Sequence, residues 1–277
     1  IIETIGGTLV PPIFVMTLIK QFFNNHPTDL DALDRGLQFG DGHFTTLRIV
    51  NNAPEHLDAH IERLVHANDV LRIHYPALTT LKARLKTLAA EVGEGVCKVI
   101  ITRGNSAQGY GFDSRAEANE YIQVSSLPTP QKPLDIELAD FVLAQQPLLA
   151  GLKTLNRLEQ VLLSAEKSEK GVDDLIVCTS DGTVIEAIQG NVFWRMGDQW
   201  FTPSLTTAGV NGVMRQYIIE SNALANLSVK DCTATELACA EQIFICNSVR
   251  GAVPVHSFNG KVFEKNPLPK KIQRLAL

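Results

Sequence analysis

Lys153 stands in the run Leu148-Leu149-Ala150-Gly151-Leu152-Lys153-Thr154-Leu155-Asn156-Arg157-Leu158-Glu159-Gln160-Val161 and is the only charged residue between Asp140 and Arg157. Taking an ammonium out of water among Leu and Ala is costly, so its pKa is expected to fall towards neutrality. Asn156 with Glu159 reads as a capping box with Asn replacing Ser or Thr. The positive end of the helix so started would disfavour a nearby cation further. A lysine that is neutral near pH 7 can attack a carbonyl and form a Schiff base. The plainer reading of the segment alone is a lysine that snorkels from an apolar turn into water.

Three further places carry chemistry. Glu186 lies in Asp181-Gly182-Thr183-Val184-Ile185-Glu186-Ala187-Ile188, where strict alternation puts its carboxylate on the face of Val184 and Ile188. There it needs a cation or hydrogen-bond donors; an edge strand in water is the plainer alternative. Val210-Asn211-Gly212-Val213-Met214-Arg215 opens a helix just after a glycine, and the free amides of such a start suit a phosphate. Ser248, in Cys246-Asn247-Ser248-Val249-Arg250-Gly251, follows an apolar strand and offers a loop hydroxyl, as an ordinary turn serine also would. Arg63 falls away from the Leu57/Ile61/Leu64 stripe of its helix, so periodicity predicts a solvated side chain. An imine-forming lysine, an inward carboxylate and a phosphate cradle together meet the needs of pyridoxal 5'-phosphate. No Rossmann fingerprint or P-loop competes.

The elements that must position these groups read as mixed α/β. Residues 44–50 form a strand with Phe44, Thr46, Arg48 and Val50 on one face and Thr45, Leu47 and Ile49 on the other. Helices are predicted over 57–72 and 79–92, then strands over 96–102 and 121–125. Leu127-Pro128-Thr129-Pro130-Gln131-Lys132-Pro133 cannot continue a helix or a central strand, and 128–133 is taken as an interdomain linker. Beyond it, strands at 135–143, 174–179, 183–188, 191–195 and 243–246 alternate with helices at 156–170 and 213–225. The division is therefore an extension over 1–15, with Met16 as a start, a smaller α/β domain over 16–127 and a larger one over 134–277. A pocket is expected at their junction.

Composition narrows the class. A chain of 277 residues, 45% hydrophobic and 20% charged, has the profile of a globular enzyme. A net charge of −5, with no basic run interleaved with aromatics, argues against nucleic acid. The apolar run 13–19 is too short to span a bilayer and has no basic flank, so neither a membrane anchor nor a signal peptide is expected. Cysteines 97, 178, 232, 239 and 246 form no CxxC and no metal set, which fits reduced thiols in a cytoplasm.

Asp34-Arg35-Gly36-Leu37-Gln38-Phe39-Gly40-Asp41-Gly42, His60-Ile61-Glu62-Arg63-Leu64, Lys153-Thr154-Leu155-Asn156-Arg157-Leu158-Glu159 and Asn211-Gly212-Val213-Met214-Arg215 resemble the fold-type-IV pyridoxal-phosphate family. That family includes branched-chain and D-amino-acid aminotransferases and 4-amino-4-deoxychorismate lyases. The resemblance runs from about Asp34 to Pro254, and Phe44-Thr45-Thr46 and Lys153 to Val161 are lyase-like. It implies an α/β (α+β) two-domain fold whose larger domain has a barrel-like sheet, and a homodimer. By motif, Lys153 is the Schiff-base lysine and Glu186 the partner of the pyridine nitrogen. Arg63, the backbone of Val213 and Met214, and the Ser248 hydroxyl hold the phosphate, which overrides the periodicity of Arg63.

The resemblance further implies that Thr46 faces the substrate side and relays a proton, with Phe44, Arg48, Arg103 and Tyr110 around the substrate. Where lyase relatives often have Arg-Gly-Tyr this chain has Gln108-Gly109-Tyr110, so Arg103 or Arg48 is expected to meet the substrate carboxylate. The implied reaction is cleavage of 4-amino-4-deoxychorismate to 4-aminobenzoate and pyruvate. A D- or branched-chain amino-acid aminotransferase would use the same cofactor residues. A cofactor-binding scaffold without turnover would leave this whole set of groups idle.

Overall fold

The computed structural model describes residues 18–23, 32–105, 109–113, 115–130, 132–264 and 267–275. The extension over 1–15, Met16 and Gln108 lie outside the described residues. One sheet takes β1 (Leu18–Phe23), β2 (Gly42–Val50), β3 (Ala53–Pro54), β4 (Gly95–Thr102) and β5 (Asn119–Ser125), antiparallel in the order β1-β5-β4-β2-β3. Its helices are α1 (Arg35–Phe39), α2 (Leu57–Leu71) and α3 (Leu78–Val92). The pleat of β2 sends Leu47 and Ile49 into a core shared with Leu64 of α2 and Leu81 and Leu85 of α3. Thr45, on the same face, ties β2 to α2 through a 2.6 Å hydrogen bond with His60 Nδ1. The opposite face is left for Phe44 and Thr46.

The second sheet holds β6 (Leu134–Leu138), β7 (Asp174–Cys178), β8 (Val184–Ala187), β9 (Asn191–Met196), β10 (Gln199–Thr202), β11 (Leu227–Val229), β12 (Gln242–Asn247) and β13 (Gly251–Phe258), with β14 (Lys261–Val262) on β13. Its order is β11-β10-β9-β12-β13-β6-β7-β8. The tight turn between Ala187 and Gly190 brings β8 back beside β9, so the strands from β9 to β8 curl into a barrel-like sheet. Inside it pack Ile136, Ile176, Trp194, Ile243, Ile245 and Val255. Outside it lie α4 (Leu158–Lys170), α5 (Val213–Glu220) and α7 (Lys270–Gln273), whereas α6 (Ala234–Ala238) packs Leu237 into the inner core.

Several elements differ from the sequence expectation. The strand foreseen over 135–143 leaves the ladder after Leu138, because Glu166 of α4 accepts the backbone N–H groups of Asp140 (2.6 Å) and Phe141 (3.1 Å). Helix α4 starts at Leu158 without a capping side chain. Asn156 instead donates to the Gly40 carbonyl (3.2 Å), and Glu159 accepts the Ala144 N–H (2.9 Å), so both side chains tie segments together. Gly40, at φ +65°, permits this approach; a Cβ there would run into the Asn156 side chain. Helix α5 ends at Glu220, before the left-handed Asn222.

Candidate active site

Lys153 is held between the two sheets by backbone bonds. On one side Phe44 N–H donates to the Lys153 carbonyl (2.9 Å) and Leu155 N–H to the Gly42 carbonyl (3.0 Å), which docks the segment onto β2. On the other, the Gly151 N–H donates to the Gly209 carbonyl (2.9 Å) and the Gly151 carbonyl accepts the Asn211 N–H (3.0 Å). The Lys153 ammonium lies 4.7 Å from the Phe44 ring centroid and makes no ion pair or side-chain hydrogen bond among the described residues. Burial pulls its pKa down to about 8, with Arg63 adding to the fall and Glu186 opposing it. This agrees with the direction that the apolar run implies.

A cavity of about 850 Å³ opens there, walled by Phe44, Thr46, Arg63, Lys153, Glu186, Val213 and Ser248 among others. Glu186 reaches it by a route that alternation misses. Opposite Val177 and Cys178 the register of β8 slips, pairing Val177 with Glu186 but Cys178 with Val184. This bulge separates Glu186 from the face of Val184, which packs inside the barrel, and leaves it on the side of Ile188. Glu186 Oε2 accepts the Val210 N–H (2.9 Å). Burial raises its pKa, against the pull of that N–H and of Lys153.

The start of α5 forms the next wall. Buried Asn191 donates to the Val210 carbonyl (2.8 Å) and accepts the Gly212 N–H (3.1 Å), fixing the turn into the helix. Gly212 is required there, since a Cβ would strike Asn191 Oδ1. No side chain caps the helix, so the first-turn amides of Val213 and Met214 have no protein acceptor among the described residues. The Met214 side chain points away, into a core with Phe193 and Ile218. Arg63 crosses from α2 and donates to the Asn211 carbonyl (2.5 Å) beside this helix start. It is half-buried against the cavity, where periodicity alone predicts water, and burial lowers its pKa to about 10.

Three expected substrate contacts are not at the cavity. Arg48 is buried and paired with Glu55 across the β2–β3 turn. Arg103 spends its donors on Asp41 (2.8 and 3.0 Å) and on the carbonyls of Leu71 and Arg72 (2.7 Å each). Tyr110 is 88% exposed, with its ring 5.4 Å from Phe39. Conversely, Lys98 stands beside the site without having been expected there from the sequence. It pairs with Thr46 across β2 and β4, its ammonium lies 4.7 Å from the Phe44 ring centroid, and it has no ion pair among the described residues. A lone charge alternating with Val96 and Ile100 was the available signal.

Residues 42–258 match the class IV amino-transferase family. The chain belongs to that family. Among its members, this chain is 34% identical over 236 residues to an aminodeoxychorismate lyase of Vibrio harveyi, covering 80% of this chain and 84% of that one. It is 27% identical over 254 residues to a D-alanine aminotransferase of Bacillus licheniformis, covering 88% and 89%. The solved structure of 4-amino-4-deoxychorismate lyase from Pseudomonas aeruginosa superposes with a TM-score of 0.86 at 33% identity, covering 92% of this chain and 97% of that one. The fold is the class IV fold, two sheets of which one is curled into a partial barrel.

Proposed function

We infer that this class IV protein is a pyridoxal 5'-phosphate-dependent carbon–oxygen lyase that converts 4-amino-4-deoxychorismate to 4-aminobenzoate and pyruvate, a step towards folate. The observation that carries this is the Lys153 amine, unbonded and desolvated beside Phe44, in one cavity with the Glu186 carboxylate and the Thr46 hydroxyl. The higher identity to the Vibrio harveyi lyase than to the D-alanine aminotransferase favours the lyase over the transaminase.

The residues fit the cofactor. Lys153 suits its aldehyde and Glu186 its ring nitrogen. Arg63, the Ser248 hydroxyl and the open amides of Val213 and Met214 suit its phosphate. When bound, the cofactor supplies an aldehyde for the amine and a protonated ring that accepts the electrons left by a departing proton. Glu186 keeps a proton on the ring nitrogen. Lys153, in its neutral form, would take the proton from the substrate C4 carbon. Thr46 delivers a proton to the enolpyruvyl oxygen as its bond to the ring breaks, and Phe44 walls the site from water.

The two sheets are read as two domains joined through 128–133, in a cytoplasmic homodimer. Leu148 (72% exposed), Leu158 (70%) and Val161 (61%) near the cavity support a second copy covering this face, and all five cysteines are free. The test is to incubate purified protein with aminodeoxychorismate and follow 4-aminobenzoate. Formation by the wild type and loss in Lys153→Ala are expected. Fast amino exchange with 2-oxo acids and no 4-aminobenzoate would overturn the reading in favour of a D- or branched-chain aminotransferase.

A further inference from the structure

The cavity wall carries four cations, Arg63, Lys153, Arg157 and Arg250, against one carboxylate, Glu186. Arg63 donates to the Asn211 carbonyl, and Arg157 to the carbonyl and hydroxyl of Thr154. Lys153 is the reacting amine. Arg250 has no such engagement.

Arg250 sits half-buried in the turn from β12 to β13, two residues beyond Ser248. Asn247 Oδ1 accepts the N–H groups of Val249 (2.9 Å) and Arg250 (2.8 Å), which fixes the backbone from which the side chain springs. Arg35, Arg48, Arg84, Arg103, Arg115 and Arg195 all stand in ion pairs, and Arg215 donates to Thr202, Asn211 and Pro203. Arg72 and Arg274 are exposed. Among the described residues, Arg250 is thus the one arginine shielded from water that has neither an ion pair nor a side-chain hydrogen bond. Asp174 attracts it, but that buried carboxylate is bound to the N–H groups of Leu175 (2.8 Å) and Ile188 (3.1 Å) and makes no ion pair with it.

A guanidinium partly removed from water without a partner is unfavourable unless an anion completes the site. The cofactor phosphate already has Arg63, Ser248 and the α5 amides. The substrate brings two carboxylates, while Arg48 and Arg103 are committed elsewhere. We propose that Arg250 binds a carboxylate of the substrate through its guanidinium fork. The identity of that anion rests on the lyase reading; the anion site itself rests on the geometry.

The test uses holoenzyme and chorismate, which has the substrate's two carboxylates but a hydroxyl in place of the amine and so cannot react at Lys153. Titration is followed by the cofactor absorbance. Arg250→Gln is expected to weaken chorismate binding by about 10- to 100-fold, the range of a lost charge-assisted hydrogen bond. Arg250→Lys is expected to recover part of it, and the affinity of either variant for pyridoxal phosphate should match the wild type. Unchanged chorismate binding in Arg250→Gln would overturn the proposal, as would a fall in cofactor affinity alone, which would make Arg250 a phosphate ligand. Chorismate binding that depends on Arg250 in a wild type unable to form 4-aminobenzoate would leave the carboxylate site standing and remove the lyase reading.

Discussion

Phe44 and Lys153 are joined twice. The Phe44 N–H donates to the Lys153 carbonyl at 2.9 Å, and the Lys153 ammonium lies 4.7 Å from the Phe44 ring centroid. The strand that presents Thr46 and the segment that presents the amine are therefore one assembly. The distance from amine to hydroxyl is set by ladder geometry, with little left to loop flexibility. A desolvated amine on a rigid support is the form in which lysine acts as nucleophile and base.

The first prediction concerns the charge of that amine. Its pKa lies at about 8, so the neutral form dominates above that pH and falls about tenfold per unit below it. Uptake of pyridoxal phosphate by cofactor-free protein should follow this curve, rising up to about pH 8 and then levelling. Lys98→Met removes a cation that helps to lower the Lys153 pKa, so the midpoint should move up. Stopped-flow absorbance across pH checks both. A midpoint near the ordinary lysine value would mean that the amine is solvated.

Glu186→Gln should keep the fold, because an amide oxygen can still accept the Val210 N–H. It cannot hold a proton on the ring nitrogen, so turnover should fall on the order of 10²-fold or more, as when one electrostatic stabiliser is removed. Steady-state rates with cofactor saturating, beside a dichroism spectrum, separate the two effects. An unaltered rate would place this carboxylate outside the chemistry.

Asn191→Ala would strand the Val210 carbonyl and the Gly212 N–H at a buried position. Each such loss costs about 1–3 kcal/mol, so the melting temperature should drop by several degrees. Because the same bonds set the start of α5, cofactor affinity should fall as well. Thermal unfolding and equilibrium dialysis report the two. A variant unchanged in both would show that the turn is held by other contacts.

How far the site was legible in the sequence depended on the range of each signal. Helices α2 and α3 and the inward face of β2 follow from local periodicity, and Lys153 from an unbroken apolar run. Glu186 was placed on a strand correctly, yet one slipped residue separates it from Val184, and bulges carry no signal in alternation. Arg63 shows the limit of the helical wheel, which distinguishes core from non-core but cannot tell a cavity from water. The engagement of Arg103 was not legible because its partners, Asp41 and the carbonyls of residues 71 and 72, are distant in sequence and unpredictable from spacing.

Under the proposed function, the hydroxyl of Thr46 is the group whose removal should separate lyase from aminotransferase. Thr46 is on the cavity face of β2, two residues from the Phe44 whose ring the Lys153 amine faces, while Thr45 is turned away to His60. A threonine so placed can give a proton to an oxygen leaving the substrate, a task that transamination lacks because nothing is expelled. Thr46→Ala should depress 4-aminobenzoate formation by about 10²–10⁴-fold, the range of general acid catalysis, while borohydride still fixes the cofactor to Lys153. Any slow amino exchange with 2-oxo acids should change little. Thr46→Ser, which restores the hydroxyl, should recover much of the lyase rate. Equal loss of both activities in the alanine variant would mean that Thr46 only shapes the pocket, and the proton for the enol would then have to come from Lys153 or from water.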